Sequence, residues 1–311
     1  MKSNSLGHKI WFLIKGTFNE FISDNGPKLA ASLSYYTIFS LPPLLIIIIF
    51  LCGIFFGAEA VRGEIFGQIN GLVGNEAAIQ IQDMIKNVKR SNSNGFAATI
   101  GVITLIIGAS GVFSEMQDSI NFIWGLKAKP KRGFIKFLKN RLMSFSMIGS
   151  MGFLLLVGLI INSLMDVLSK RLELYFPHMT VILLYALNLA IVYIIITSLF
   201  TVIFHTLPDG RVAWRDGLIG AAFTALLFMG GKFAIGAYLG SSTIASTYGV
   251  AGSIIVILLW VYYSAIILYF GAEFTKVYAL AFGNKIIPNN YAVYVDKVEV
   301  EIEPRVVNTE N

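Results

Sequence analysis

Apolar positions come in six long runs separated by polar stretches: Leu33–Phe56, Phe96–Met116, Leu142–Leu164, Thr180–Phe204, Gly217–Leu239 and Gly249–Phe270. Each has the length, about 20 residues, that a helix needs to cross about 30 Å of hydrocarbon. No series of ten-residue segments alternates with period 2, which argues against a barrel, and helices are the other way to satisfy backbone groups in lipid. The pattern predicts an all-α integral membrane protein with six transmembrane helices. Two weaker patterns add to it. Ile10, Trp11, Ile14, Phe18, Phe21 and Ile22 share one helical face opposite Lys9 and Lys15, predicting an N-terminal interfacial helix. Ile81, Met84, Ile85 and Val88 repeat similarly within 57–95, predicting amphipathic helices that cap the outer face from the first outer loop. Beyond Gly283 the chain turns polar, dividing it into a six-helix membrane domain, 1–283, and a polar cytoplasmic tail, 284–311. Within the tail "VEVEIEP" (Val298–Pro304) alternates apolar and acidic residues. It reads as a disordered tail or as a strand that pairs with a partner.

Composition agrees with the pattern. At 56% hydrophobic and 14% charged residues, with a mean hydropathy of +0.71, the chain is too apolar for a soluble domain of 311 residues. Seventeen of the 24 lysines and arginines fall at the ends of the runs on the N-terminal side and six on the other. Both termini are therefore expected in the cytoplasm. The same bias explains a pI of about 9.2 without nucleic acid as a partner. Its densest piece, "GLKAKPKRGFIKFLKNR" (Gly125–Arg141), carries Lys127, Lys129, Lys131 and Arg132. It is either an orientation signal or a site for anionic lipid head groups. The single cysteine, Cys52, lies inside the first run, so no intramolecular disulfide forms and no CxxC motif exists. The apolar cluster "IWFLI" (Ile10–Ile14) is too short and too lysine-flanked for a cleavable signal.

Chemistry-bearing motifs are sparse. His8, His178 and His205 are scattered, and the chain holds no HExxH, GxSxG, GxxxxGK[ST] or GxGxxG. No enzyme activity, metal or cofactor is expected. Interruptions of the runs say more. Pro42 and Pro43 break the first run, leaving the carbonyls of Ile38 and Phe39 without helix partners. Ser32, Ser34, Tyr35, Tyr36, Thr37 and Ser40 precede the break. These residues either line a wet cavity, as broken helices do in transporters, or make a kink whose hydroxyls bond other helices. Glycines in the second and fifth runs (Gly101, Gly108, Gly111; Gly220, Gly230, Gly231, Gly236) suit close helix packing. At the cytoplasmic level Glu115, Asp118 and Glu273 meet Arg141, Arg211 and Arg215, predicting an inner-face ion-pair cluster that anchors or gates the bundle.

Lys232 is the only charged residue between Gly217 and Ala272. Counted from Gly217 it lies about 23 Å into its helix, in the outer half of the membrane. Its stripe includes Ala221, Ala225 and Gly236, a small-residue face expected to turn toward other helices. Lys232 is therefore expected either to contact an anionic substrate head group or an outer carboxylate such as Asp166, or to snorkel to the outer surface.

Three segments carry a resemblance: "ASLSYYTIFSLPPLL" (Ala31–Leu45), "PDGRVAWRDGLIGAAFTALLF" (Pro208–Phe228) and "YGVAGSIIVILLWVYYSAIILYFGAEF" (Tyr248–Phe274). Over roughly residues 10–283 the chain resembles the YihY/BrkB family of bacterial inner-membrane proteins. The resemblance implies six helices, both ends in the cytoplasm, and no settled reaction. Labels in that family include a virulence-associated factor and a tRNA-processing ribonuclease, a misassignment that the absence of a metal motif here matches. It also implies a role in envelope lipid transport. The expectation is a transporter or flippase of a lipid or lipid-linked anionic envelope substrate, with anionic lipids as partners. The alternatives are a small-solute carrier and a non-transporting scaffold for an envelope protein partner.

Overall fold

A computed structural model of the chain describes residues 6–40, 111–129, 179–241 and 250–295, with Gly63, Gly67 and Ile79 as isolated positions. Outside the described residues lie the later part of the first run with Pro42 and Pro43, most of the second run and all of the third. The helices of the first outer loop, the 298–304 alternation, Cys52, Lys131, Arg132, Arg141 and Asp166 lie outside them too.

Helix α1 spans Leu6–Ser23. It stops at a turn in which Asn25 adopts a φ of 54°, a left-handed conformation that asparagine tolerates better than most residues. The Asn25 carbonyl then accepts the N–H groups of Lys28 (2.9 Å) and Leu29 (3.2 Å), opening α2, helical over 26–40. Pro27 falls in the first turn of α2, where a missing N–H costs nothing. Gly26 is required by the turn, because a Cβ there would strike the ring of Phe21.

Helix α3, helical over 111–123, ends at Gly125 with a φ of +64°, a left-handed glycine of the kind that closes helices. Strand β1 (Leu126–Ala128) follows. Helix α4 (Met179–Thr206) leads through a Pro208-Asp209 turn to β2 (Gly210–Arg211) and to α5 (Trp214–Ser241), which opens with Asp216 in its first turn. Helix α6 (Val250–Ala281) is followed by β3 (Ile287–Pro288) and β4 (Ala292–Tyr294).

Three helical segments among the described residues are long and apolar enough to cross a membrane: Ala186–Thr206, Trp214–Tyr238 and Ile255–Ala281. They coincide with the fourth, fifth and sixth runs of the sequence. Large side chains such as Ile194, Leu226 and Phe233 are exposed on them, as lipid-facing positions should be.

Helices α5 and α6 are antiparallel and packed through small residues. A Cβ on Gly220 would lie 2.8 Å from Thr275 Cβ, and one on Gly271 would lie 2.8 Å from Thr224 Cβ. The contact is reciprocal, each helix pressing a Gly-xxx-Thr unit on the other. Both threonine hydroxyls turn back to their own helix, Thr224 donating to Gly220 O and Thr275 to Gly271 O at 2.7 Å. This is the close approach that small residues allow between membrane helices.

Helix α1 runs alongside the last turns of α6. Lys9 sits over the Phe282 ring, Gly16 faces Val277, Lys276 meets Glu20, and Phe21 meets Phe270 edge-on at 5.5 Å. Leu13, Thr17 and Phe21 are buried, whereas Ile10, Trp11, Ile14, Phe18 and Ile22 stay exposed. Of the apolar face read from the sequence, Phe21 turns inward against α6, and the other five keep an unpartnered stripe.

At one end of the bundle, called here the strand end, the chain after α6 laces the helix ends together. Strand β4 pairs antiparallel with β1, Lys127 opposite Val293, and β3 with β2, Arg211 opposite Ile287. Backbone bonds extend both pairs: Lys129 N to Tyr291 O (2.7 Å), Val295 N to Gly125 O (2.8 Å) and Asn289 N to Asp209 O (2.9 Å). Residues 287–295 are thus not a free polar segment. The partners are two- and three-residue pieces of loops, which carry no alternating pattern of their own.

Candidate functional site

Two places in the described structure bring chemistry-bearing side chains together. The first is a cleft of about 360 Å³ lined by Asn188, Val192 and Ile196 of α4, Phe228 and Lys232 of α5, and Trp260 of α6. Successive helical turns set these positions on facing surfaces. Phe228 closes the inner wall, its ring 6.0 Å from Phe200 and 5.9 Å from Trp260. Val192, Lys232 and Phe233 are exposed. Lys232 makes no ion pair or hydrogen bond among the described residues. Along its stripe Ala221 and Ala225 are fully buried, while Gly236 stands in open space. Among the described residues the stripe is therefore buried only at its start, and Lys232 lines the cleft with residues of α4, α5 and α6.

The second place is the strand end, about 27 Å from Lys232 along α5 by helix rise. There the ammonium of Lys276 lies 2.8 Å from Glu20 Oε2, 3.4 Å from Glu273 Oε2 and 3.5 Å from Asp24 Oδ2. Glu273 is fully buried. Carboxylate oxygens of Glu20, Asp24 and Glu273 lie within 4.8 Å of one another, a spacing that suits a divalent cation, but the protein's own ammonium stands among them. Beside this group, Asp209 is buried and held from three sides. Gln117 Nε2 donates to Oδ1 (3.1 Å) and Asn121 Nδ2 to Oδ2 (3.0 Å), and the backbone N–H of Asp209 returns a bond to Asn121 Oδ1 (2.7 Å). Trp124 Nε1 donates to Ala272 O (3.0 Å), and Asp216 Oδ2 accepts the Asn284 N–H (2.7 Å). Partial burial pushes the Tyr294 hydroxyl up from its ordinary value.

The inner-face charges read from the sequence are distributed differently. Glu273 pairs with Lys276, Glu20 and Asp24 surround the same ammonium, and Arg211 instead donates to Asn289 Oδ1 at 3.0 Å. Arg215 is exposed, and Asp118 lines a separate cavity of about 500 Å³ with Asn121, Lys127 and Asp209. Glu115, half-buried, is on α3. Lys127 lies within β1 opposite Val293, and Lys129 follows just past the strand. Tyr35 and Tyr36 are exposed and meet edge to edge, Tyr35 also packing at a tilt against Phe39, whereas Ser40 is buried against Gly111. The hydroxyls of Ser34 and Thr37 bond the carbonyls one turn back at 2.7 Å, a local satisfaction common for such residues in helices. Sequence reasoning missed Glu20, Asp24, Lys276 and Asp209. The spacing of Glu273 and Lys276, three apart on one helix, and of Glu20 and Asp24, four apart, was the available signal.

The profile of the family described as Virulence factor BrkB matches residues 17–290. The chain belongs to the BrkB family. Similar proteins carry the name UPF0761 membrane protein. One from Azotobacter vinelandii is 28% identical over 259 residues, covering 82% of this chain and 60% of its own length. One from Pseudomonas aeruginosa is 27% identical over 268 residues, 82% of this chain and 59% of its own. One from Pseudoalteromonas atlantica is 26% identical over 259 residues, 81% of each. The chain spans about three-fifths of the length of the first two relatives. No solved structure gives a significant match. These relatives are named as membrane proteins and no activity is part of their names. The match begins within α1 and ends at the β3–β4 turn, so the BrkB region includes the Lys276 group, the Asp209 turn and the Lys232 cleft.

Proposed function

We propose that this BrkB-family membrane protein moves a lipid or lipid-linked anionic envelope substrate across the bacterial inner membrane, both termini facing the cytoplasm. The observation that carries the reading is the cleft around Lys232. Its lining among the described residues is mainly apolar and aromatic, with the Lys232 ammonium and the Asn188 amide among its polar groups. An apolar, aromatic lining suits an acyl chain. An ammonium in an apolar helix, without an ion pair among the described residues, suits a phosphate or carboxylate head group, and intramembrane charges are costly enough to imply use. The bias of basic residues to the strand end supports placing that end in the cytoplasm, which puts Lys232 in the outer half.

The test is reconstitution of the full chain in liposomes with a fluorescent anionic lipid and a membrane-impermeant quencher. Lys232→Met should insert and fold yet lose transbilayer movement by about tenfold or more, the scale of one charge-assisted contact. Lys232→Arg should keep part of it. Full activity in Lys232→Met would leave the lysine a snorkelling residue and remove the basis of the reading.

A further inference from the structure

Across all six apolar runs the charged residues are Glu115 and Lys232 alone. Glu115 is the last residue but one of its run, on the side that leads to β1, so Lys232 is the only cation in any of the six. An anionic group taken out of water needs opposite charge or hydrogen-bond donors. One ammonium neutralises one negative charge; a second charge on the same head group would stay bare in a medium of low dielectric, where that is costly. The other polar groups on the lining are neutral. Asn188 supplies an amide and Trp260 an indole N–H, and neither side-chain donor has a hydrogen-bond partner among the described residues. Neutral donors can satisfy further oxygens of a phosphate without adding charge. The volume of about 360 Å³ lies toward the small end of small-molecule sites, which suits a compact head group.

We infer that the cleft selects lipids whose head group carries a single net negative charge, a phosphodiester, and that Lys232 is the residue that sets this selectivity. The inference rests on the transport reading and narrows its substrate class. A monoanionic phosphodiester paired with Lys232 through a charge-assisted hydrogen bond leaves no net charge in the membrane. A fully ionised phosphate monoester or pyrophosphate leaves at least one negative charge uncompensated. A zwitterionic lipid brings its own cation, so Lys232 adds an excess positive charge instead of removing a negative one.

The test uses the full chain in liposomes with short-chain fluorescent phosphatidylglycerol, phosphatidic acid and phosphatidylcholine, transbilayer movement being read by extraction into albumin. Phosphatidic acid is a phosphate monoester whose second ionisation lies near neutral pH, so one lipid can be presented with about one charge near pH 6 and about two near pH 9. Phosphatidylglycerol stays a monoanion at both and controls for titration of the lysine. Relative to phosphatidylglycerol, phosphatidic acid should move equally near pH 6 and about tenfold more slowly near pH 9, the scale of one charge-assisted contact. Phosphatidylcholine should move more slowly than phosphatidylglycerol. Lys232→Met should reverse that last order, and Lys232→Arg should keep it. Phosphatidic acid moving as fast as phosphatidylglycerol near pH 9, or an order of phosphatidylglycerol and phosphatidylcholine indifferent to Lys232→Met, would overturn the charge selectivity and leave transport standing. If the unsubstituted chain moves none of the three lipids, the transport reading falls and the inference with it.

Discussion

Lys276 is the residue on which the strand end depends most. It is the ammonium shared by Glu20, Asp24 and the fully buried Glu273, and its own side chain is largely buried. Removing one member of a buried ion group costs more than the group contributes, because a charge is left without compensation. Lys276→Met should therefore destabilise the protein by about 3–5 kcal/mol, read as a lower midpoint in thermal unfolding in detergent. Glu273→Gln keeps the shape and removes the buried charge, so its midpoint should move far less. Combining the two should restore part of the loss, since Glu273 is then no longer a buried charge without its ammonium while Asp24 still lacks it. A double variant as unstable as Lys276→Met would show that packing of the lysine stem, not charge, is at stake.

Among the elements, the α5–α6 pair sets how close two helices come. Gly220→Ala places a Cβ 2.8 Å from Thr275 Cβ, inside van der Waals contact, and overpacking of this kind costs about 1–3 kcal/mol. Thr275→Gly removes the opposing atoms. The double variant should recover part of the loss, and a double-mutant cycle in denaturant unfolding measures the coupling. Additive losses would mean that the helices relax apart. These helices were legible in the sequence because hydropathy reports lipid exposure directly: Thr180–Phe204 became Met179–Thr206, and Gly217–Leu239 became Trp214–Ser241. The sixth was read as ending at Phe270 and runs on to Ala281. Glu273 and Lys276 interrupt the apolar pattern there, yet they satisfy one another and stay inside the helix. Their other partners, Glu20 and Asp24, lie some 250 residues away in sequence. Such a pairing has no local signature. Strands β2 and β3, two residues each, are too short for any alternation to show. Lys232 was legible as an isolated charge, but the cleft it lines arises from the relative placement of α4, α5 and α6, which hydropathy does not encode.

At the scale of the whole molecule the two candidate sites stand at different heights, the Lys232 cleft far from the strands and the Lys276 group among them. Helix α6, at 32 residues, is about 48 Å long, against about 30 Å of hydrocarbon. If its beginning lies at the outer boundary, about 20 residues bring it to the inner one near Phe270. Glu273, Lys276 and the docked α1 then fall at the head-group level, where charges are tolerated and the exposed Ile10–Ile22 stripe can reach acyl chains. The same arrangement fits either side of the membrane, and the lysine and arginine bias of 17 to six favours a cytoplasmic strand end. The bias is testable with one reagent. Cys52 is the only cysteine, so after its replacement single cysteines can be introduced at will. Lys127→Cys and Lys285→Cys, both at exposed positions of the strand end, should resist an impermeant maleimide applied to intact cells and react once the membrane is permeabilised. A cysteine at Asn75 should react from outside in both conditions. The opposite labelling would invert the protein and move Lys232 to the inner half.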